Sequence, residues 1–231
     1  MLWLQNYGKA QMTAARLPPG QGGYRVLFWT IAGLLVLRPI IDQVADQPWL
    51  FSIFLSTVLL AGVWAISQNR RQLIALAVLA VVAMGGLLGD LMLDWTTRYS
   101  VAMIAATIYF AWIAMILSRD VFKESRRVSA DMVYGGINVY LLAGLAFGSA
   151  FAALATIVPG SFNGLGADSP FGDAIYYSIV TITTLGYGEI TPVSPIARML
   201  ASSEALLGQL YVAILLARLV AVHISSGQDA G

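Results

Sequence analysis

The sequence predicts an all-α membrane protein, and three observations support that prediction. Hydrophobic residues make up 58% of the 231 residues and charged residues 11%, about half the charge expected of a soluble domain. The apolar residues gather into six long runs, each meeting or exceeding the roughly 18 to 20 residues that a helix needs to cross the hydrocarbon. A seventh run is too short to span and leads directly into a glycine-rich stretch. Non-helical backbone of that kind is tolerable at membrane depth only where it lines an aqueous path.

Residues 1–23 hold the breaker-rich tether Leu17-Pro18-Pro19-Gly20-Gln21-Gly22-Gly23, read as a cytoplasmic tail with no assigned function. The six spans follow at Tyr24–Ala45, Trp49–Ser67, Gln72–Leu93, Tyr99–Leu117, Met132–Val158 and Ser194–Val222. No small-residue cleavage site follows the first run and further spans do, so it is not a signal peptide. The short run Phe171–Thr183 reads as a re-entrant helix, with Ser169 as N-cap and Pro170 at the first helical position. Between spans four and five, Arg119–Val128 mixes Val121, Phe122 and Val128 with charges. It fits equally a helix along the inner membrane surface, with basic side chains at the lipid headgroups, or an ordinary charged loop. These features divide the chain into the tail 1–23, a four-helix unit 24–118, an interfacial linker 119–130 and a C-terminal unit 131–231.

Charge placement orients the chain. Lys9, Arg16 and Arg25 precede or open the first span, Arg70 and Arg71 follow the second, and Arg119, Lys123, Arg126 and Arg127 follow the fourth; Arg218 lies near the end of the sixth. The opposite turns carry Asp42, Asp46, Asp90, Asp94, Asp168, Asp173 and Glu189, with Arg38 and Arg98 as exceptions. Arg38 lies one helical turn from Asp42, within pairing reach. The positive-inside rule then places both termini in the cytoplasm and the glycine-rich stretch toward the outside of the cell membrane. A net charge of +1 argues against a nucleic-acid partner. The absence of cysteine excludes disulfides and thiolate metal sites. No nucleophile–base pairing, phosphate loop or metal-ligand cluster suggests an enzyme or a bound cofactor.

The most specific stretch is Thr183-Thr184-Leu185-Gly186-Tyr187-Gly188-Glu189 at the end of the short run. Glycines at alternate positions permit dihedrals that side-chained residues resist, so consecutive carbonyls can turn toward one axis and replace an ion's water shell. This order resembles the selectivity filter of the potassium channel superfamily, in its six-span bacterial type. The resemblance implies potassium as the permeant ion, held at Thr184, Leu185, Gly186 and Tyr187, with Gly188 completing the filter. It also implies support from Tyr176, Tyr177, Val180, Thr183 and Glu189, with Tyr176, Tyr177 and Tyr187 as an aromatic cuff and Glu189 within reach of a tyrosine hydroxyl. Leu185 stands where valine is commoner, with only its carbonyl facing the ion, and Val180 stands where some relatives carry a glutamate behind the filter. One filter per chain and no internal repeat imply a fourfold symmetric homotetramer, embedded among membrane lipids.

Other residues in the last span are read both ways. Gly208, twenty residues past Gly188, sits where the family's inner helices bend, yet close packing against the re-entrant helix explains it equally well. Gln209, Val212 and Leu216 share one helical face, which aligns with the family's cavity-lining positions. Glu204 is an intramembrane carboxylate, hence a functional candidate, although a hydrogen bond to the back of the re-entrant helix is the simpler role. Arg198 matches an arginine that pairs with neighbouring acids in relatives. His223 is the only histidine and reads as a solvated terminal residue or, less simply, a proton sensor.

Two absences bear on regulation. The fourth span, Tyr99–Leu117, contains no basic residue. At roughly 2.3 kcal/mol per charge per 100 mV, an uncharged helix gives the field little to act on, so the four-helix unit is voltage-sensor-like without gating charges. Only eight residues follow His223, leaving no room there for a cytoplasmic ligand-binding domain. Regulation is therefore expected from the membrane portion, protons, lipids or a cytoplasmic partner. The competing readings are a potassium-uptake transporter subunit, and a membrane regulatory or receptor-like protein with a vestigial pore.

Overall fold

A computed structural model describes residues 23–44, 55–62, 70–88, 94–122, 130–165 and 170–228. The helices are α1 (Gly23–Val44), α2 (Arg70–Leu88), α3 (Trp95–Val121), α4 (Ala130–Ile157), α5 (Pro170–Ile182) and α6 (Pro195–Gln228); residues 55–62 are also helical. Two short strands, β1 (Phe162–Asn163) and β2 (Thr191–Pro192), pair antiparallel with Phe162 opposite Pro192 and Asn163 opposite Thr191. Among the described residues three helices are long and apolar enough to cross a membrane: α3, Met132–Ile157 of α4, and Pro195–Val222 of α6. Shorter apolar helices lie at Gly23–Leu37 and Gln72–Gly86. An all-α membrane protein is therefore the fold, with one minimal β pairing that the apolar pattern did not announce. The N-terminal tether, Ser169, most of the 119–130 linker, the Arg38–Asp42 pair and much of the second span lie outside the described residues.

Local chemistry sets the helix ends. α3 begins at Trp95, four residues ahead of the expected start, because Asp94 caps it: in extended conformation (φ −60, ψ 152) its carboxylate accepts the Thr97 amide at 3.0 Å. A hydrogen bond from the Thr96 hydroxyl, followed by that from the Thr97 amide, pulls the Asp94 carboxyl down to about 2. α5 opens on Pro170, as expected. α6 opens on Pro195 behind Ser194, whose hydroxyl accepts the Ala197 amide at 3.2 Å.

Small residues let these helices approach closely. A Cβ on Gly86 of α2 would lie 2.7 Å from the Ala102 Cβ and 2.9 Å from the Arg98 carbonyl on α3. Tyr109, Phe110, Ile113 and Leu117 of α3 are fully buried with Leu27 and Ile31 of α1 and Leu55 and Leu59 of segment 55–62. The Tyr109 hydroxyl is satisfied by the Leu59 carbonyl. α1 is tied to α4 by Asn138, whose Nδ2 donates to the Tyr24 carbonyl at 2.7 Å. α4 then lies between this peripheral unit and α5.

α6 differs from the other spans. Within its most apolar stretch only 6% is buried by the rest of the chain, against 56% in α3 and 50% in α4. Ile196, Met199, Leu206, Leu210, Ile214 and Leu216 all stand exposed on it.

Candidate functional site

The site is built from the C-terminal end of α5 and the loop that follows. Two α4 glycines four residues apart receive α5. A Cβ on Gly148 would meet the Ile175 Cα at 3.0 Å, and the Gly144 carbonyl accepts the Ser178 hydroxyl at 2.7 Å. On its other side α5 meets α6, where a Cβ on Gly208 would lie 2.6 Å from both the Ile182 carbonyl oxygen and its Cγ1. α6 runs unbroken through Gly208, so the geometry within one chain is that of close packing.

α5 ends in a Schellman arrangement. The Leu185 amide donates back to the Val180 carbonyl at 2.9 Å and the Thr184 amide to the Thr181 carbonyl at 2.9 Å. The Ile182 carbonyl is taken by the Tyr140 hydroxyl of α4 at 2.8 Å. The left-handed residue this motif needs is usually glycine, yet here it is Thr184, at φ 58. A β-branched residue in that region is uncommon and costs on the order of 1–3 kcal/mol. Strain of that kind persists where surrounding structure over-determines it, and it clusters at functional sites.

The backbone then alternates. Thr184, Gly186 and Gly188 have positive φ (58, 61 and 91), whereas Leu185 and Tyr187 do not. Alternation of left- and right-handed residues keeps successive peptide planes facing the same way. No carbonyl from Thr183 to Gly188 accepts a hydrogen bond from a described residue, and every residue from Thr183 to Glu189 is exposed in the single chain. Among the described residues, then, this is a row of free acceptors beside a membrane-length helix.

Surrounding residues hold both ends of the row. Gln209 of α6 donates Nε2–H to the Thr184 hydroxyl oxygen at 3.2 Å; Val212 and Leu216 are exposed on the same face. Beyond Gly188, the Tyr176 hydroxyl donates to the Glu189 carboxylate, and this hydrogen bond pushes the phenol up to about 12. The exit is clamped by β1 and β2, by the Val193 amide donating to the Ser161 carbonyl at 2.8 Å, and by Gly164 (φ 79), where a Cβ would fall 2.1 Å from the Glu189 carbonyl oxygen. Only glycine fits there.

The structure brings some of the expected residues together and separates others. Thr183 seats its hydroxyl on the Ile179 carbonyl at 2.6 Å, and Tyr187 is 68% exposed, beside Tyr176. Tyr177 turns the opposite way, buried with its ring 5.0 Å from Phe151 and 5.5 Å from Phe162. Val180 is buried behind the loop. Glu204 of α6 is fully buried with Oε1 2.5 Å from the Ser178 Oγ. Arg198 donates to the Pro192 carbonyl at 3.3 Å, a backbone partner where an acid was expected. The His223 side chain lies outside the described residues. Sequence reasoning missed Tyr140, Ser178 and the receiving pair Gly144 and Gly148. The Gly-xxx-Gly spacing of that pair was the legible clue, but a hydroxyl's partner is a tertiary fact.

Comparison with known proteins falls on this same part of the chain. Residues 139–224, from within α4 to within α6, match the family model described as Ion channel. The chain's relatives are potassium channels by name. Two pore potassium channel c of Oryza sativa subsp. japonica is 43% identical over 83 residues, covering 36% of this chain and 18% of its own. An inward rectifier potassium channel of Paramagnetospirillum magnetotacticum is 32% identical over 99 residues, covering 41% of this chain and 30% of its own. The chain thus spans less than a third of the length of either relative. No solved structure matches.

Proposed function

We propose that the chain is one subunit of a potassium-selective channel, a passive conductor, in which Thr184–Gly188 is the selectivity filter. The observation that carries this reading is the alternating backbone handedness of Thr184–Gly188, with carbonyls that accept no hydrogen bond from a described residue. In a membrane such groups need partners, and a dehydrated cation ringed by carbonyl oxygens supplies them. Thr184 contributes a carbonyl and its hydroxyl to the innermost ring, and Leu185, Gly186 and Tyr187 contribute the next carbonyls.

One chain supplies a single wall of such a ring. A closed fourfold arrangement completes it, and the uncovered apolar surface of α6 supports assembly. In the tetramer Gln209, Val212 and Leu216 face the cavity, and the negative C-terminal end of α5 favours a cation there. The distribution of basic residues supports cytoplasmic termini, an outward-facing filter and, with the peripheral helices, six spans. α3 carries no basic residue between Arg98 and Arg119, which supports conduction without a voltage sensor.

The test is reconstitution of purified protein in liposomes or planar bilayers, with reversal potentials in mixed potassium and sodium. A reversal potential tracking potassium, with rubidium permeant, is expected. Near-equal permeability refutes selectivity, and no flux at all returns the chain to the vestigial-pore reading.

A further inference from the structure

We infer that Glu204 is a proton-bearing positioning residue: as a neutral acid it donates to Ser178 and holds α5, and with it Thr184–Gly188, in register. The inference rests on the channel reading for its effect on flux but not for its chemistry.

Proton counting on one serine leads to it. The Ser178 Oγ lies 2.7 Å from the Gly144 carbonyl oxygen and 2.5 Å from the Glu204 Oε1. A serine hydroxyl has one proton, and a carbonyl oxygen can only accept. If that proton serves Gly144, the contact with Glu204 needs a proton of its own, and the carboxyl is the remaining source. The hydrogen bonds then run one way, from α6 to α5 to α4.

The surroundings agree. Glu204 is 0% exposed in the single chain. Its Oε2 has no hydrogen-bond partner among the described residues, a costly position for half of a charged carboxylate and a tolerable one for a neutral acid. The titratable groups facing it are the phenols of Tyr140 on α4 and Tyr177 on α5. Among the described residues, no basic group is recorded as acting on it.

Position makes the contact consequential. Ser178 lies six residues before Thr184, on the helix whose last turn sets Thr184 in its strained conformation. Glu204 sits one turn before Gly208, which packs on Ile182. α6 therefore grips α5 at two successive turns, one grip by contact and one by a proton. When the proton leaves, Ser178 faces two acceptors with one hydrogen, turns toward the anion, and releases Gly144.

The experiment uses the full chain in liposomes and two readouts. Infrared spectra at neutral pH are expected to contain the C=O stretch of a buried carboxylic acid, lost in Glu204→Gln and shifted in Ser178→Ala. Potassium flux is expected to fall severalfold and reversibly as pH is raised. Glu204→Gln, whose amide still donates to Ser178, is expected to support flux without that fall. Glu204→Ala, with no donor, is expected to lose flux at every pH. Absence of the Glu204-dependent band overturns the inference, as does the same alkaline fall in wild type and Glu204→Gln. A wild type that passes no potassium at any pH refutes the channel reading alone, because the infrared band stands or falls independently.

Discussion

Gly186 and Thr184 are both left-handed, but they pose opposite problems. Glycine holds φ 61 at no steric cost, whereas Thr184 holds φ 58 against its own Cβ. Gly186→Ala meets no neighbour within 4 Å in the single chain, so its penalty is backbone strain alone, roughly 1–2 kcal/mol in every subunit. Potassium flux is expected to collapse while α3 and α4 keep their thermal stability. A variant that conducts normally refutes the backbone argument. Tyr187→Phe removes only an exposed hydroxyl and is expected to leave selectivity largely intact in the same assay.

A titration checks the other end of the row. The hydrogen bond to Glu189 raises the Tyr176 phenol from an ordinary 10.0 to about 12. A raised pKa means that the contact's contribution is complete below about 10 and disappears as pH climbs through about 12. Ultraviolet difference spectra between wild type and Tyr176→Phe should show one tyrosine ionising late. In Glu189→Gln that tyrosine should ionise near its ordinary value. Identical titration with and without Glu189 removes the pairing.

At the scale of elements, α5 is a short helix held by neighbours rather than by its own length. Gly148 and Gly208 bring α4 and α6 against it, with added Cβ atoms at 3.0 Å and 2.6 Å from backbone atoms of Ile175 and Ile182. Gly208→Ala must push α6 off α5, and overpacking of this kind costs about 1–3 kcal/mol. The expected outcome is a lower melting temperature and a lower yield of assembled protein. Unchanged stability with reduced open probability would instead make Gly208 a hinge.

The whole molecule pairs a well-packed peripheral unit with a helix that its own chain scarcely covers. Because α6 is only 6% buried in its apolar stretch, native mass spectrometry from detergent is expected to find tetramers and few monomers. Because α3 lacks basic residues between Arg98 and Arg119, open probability should change only shallowly between about −100 and +100 mV. A steep, saturable conductance–voltage curve with gating currents would refute this.

The sequence by itself determined the fold class, an all-α membrane protein, from apolar runs of spanning length, and it singled out Thr-Thr-Leu-Gly-Tyr-Gly-Glu behind a run too short to span. Those features are local in the chain, since length, hydropathy and glycine placement need no partner to be read. It also placed Pro170 at a helix start and Glu189 within reach of a tyrosine. What it left open was settled in space. Gly208 meets the Ile182 carbonyl, Gln209 reaches the Thr184 hydroxyl, and Tyr177 turns into Phe151 and Phe162 while its neighbour Tyr176 turns to Glu189. Adjacent residues on a helix diverge by about 100°, so which tyrosine faces the loop depends on where α4 and α6 press against α5. The start of α3 moved for a similar reason, because a carboxylate at Asp94 outweighs the point where apolar residues begin. The contacts of the Ser178 hydroxyl belong wholly to the tertiary structure: its two partners, Gly144 and Glu204, sit 34 and 26 residues away, and no pattern along the chain brings them together.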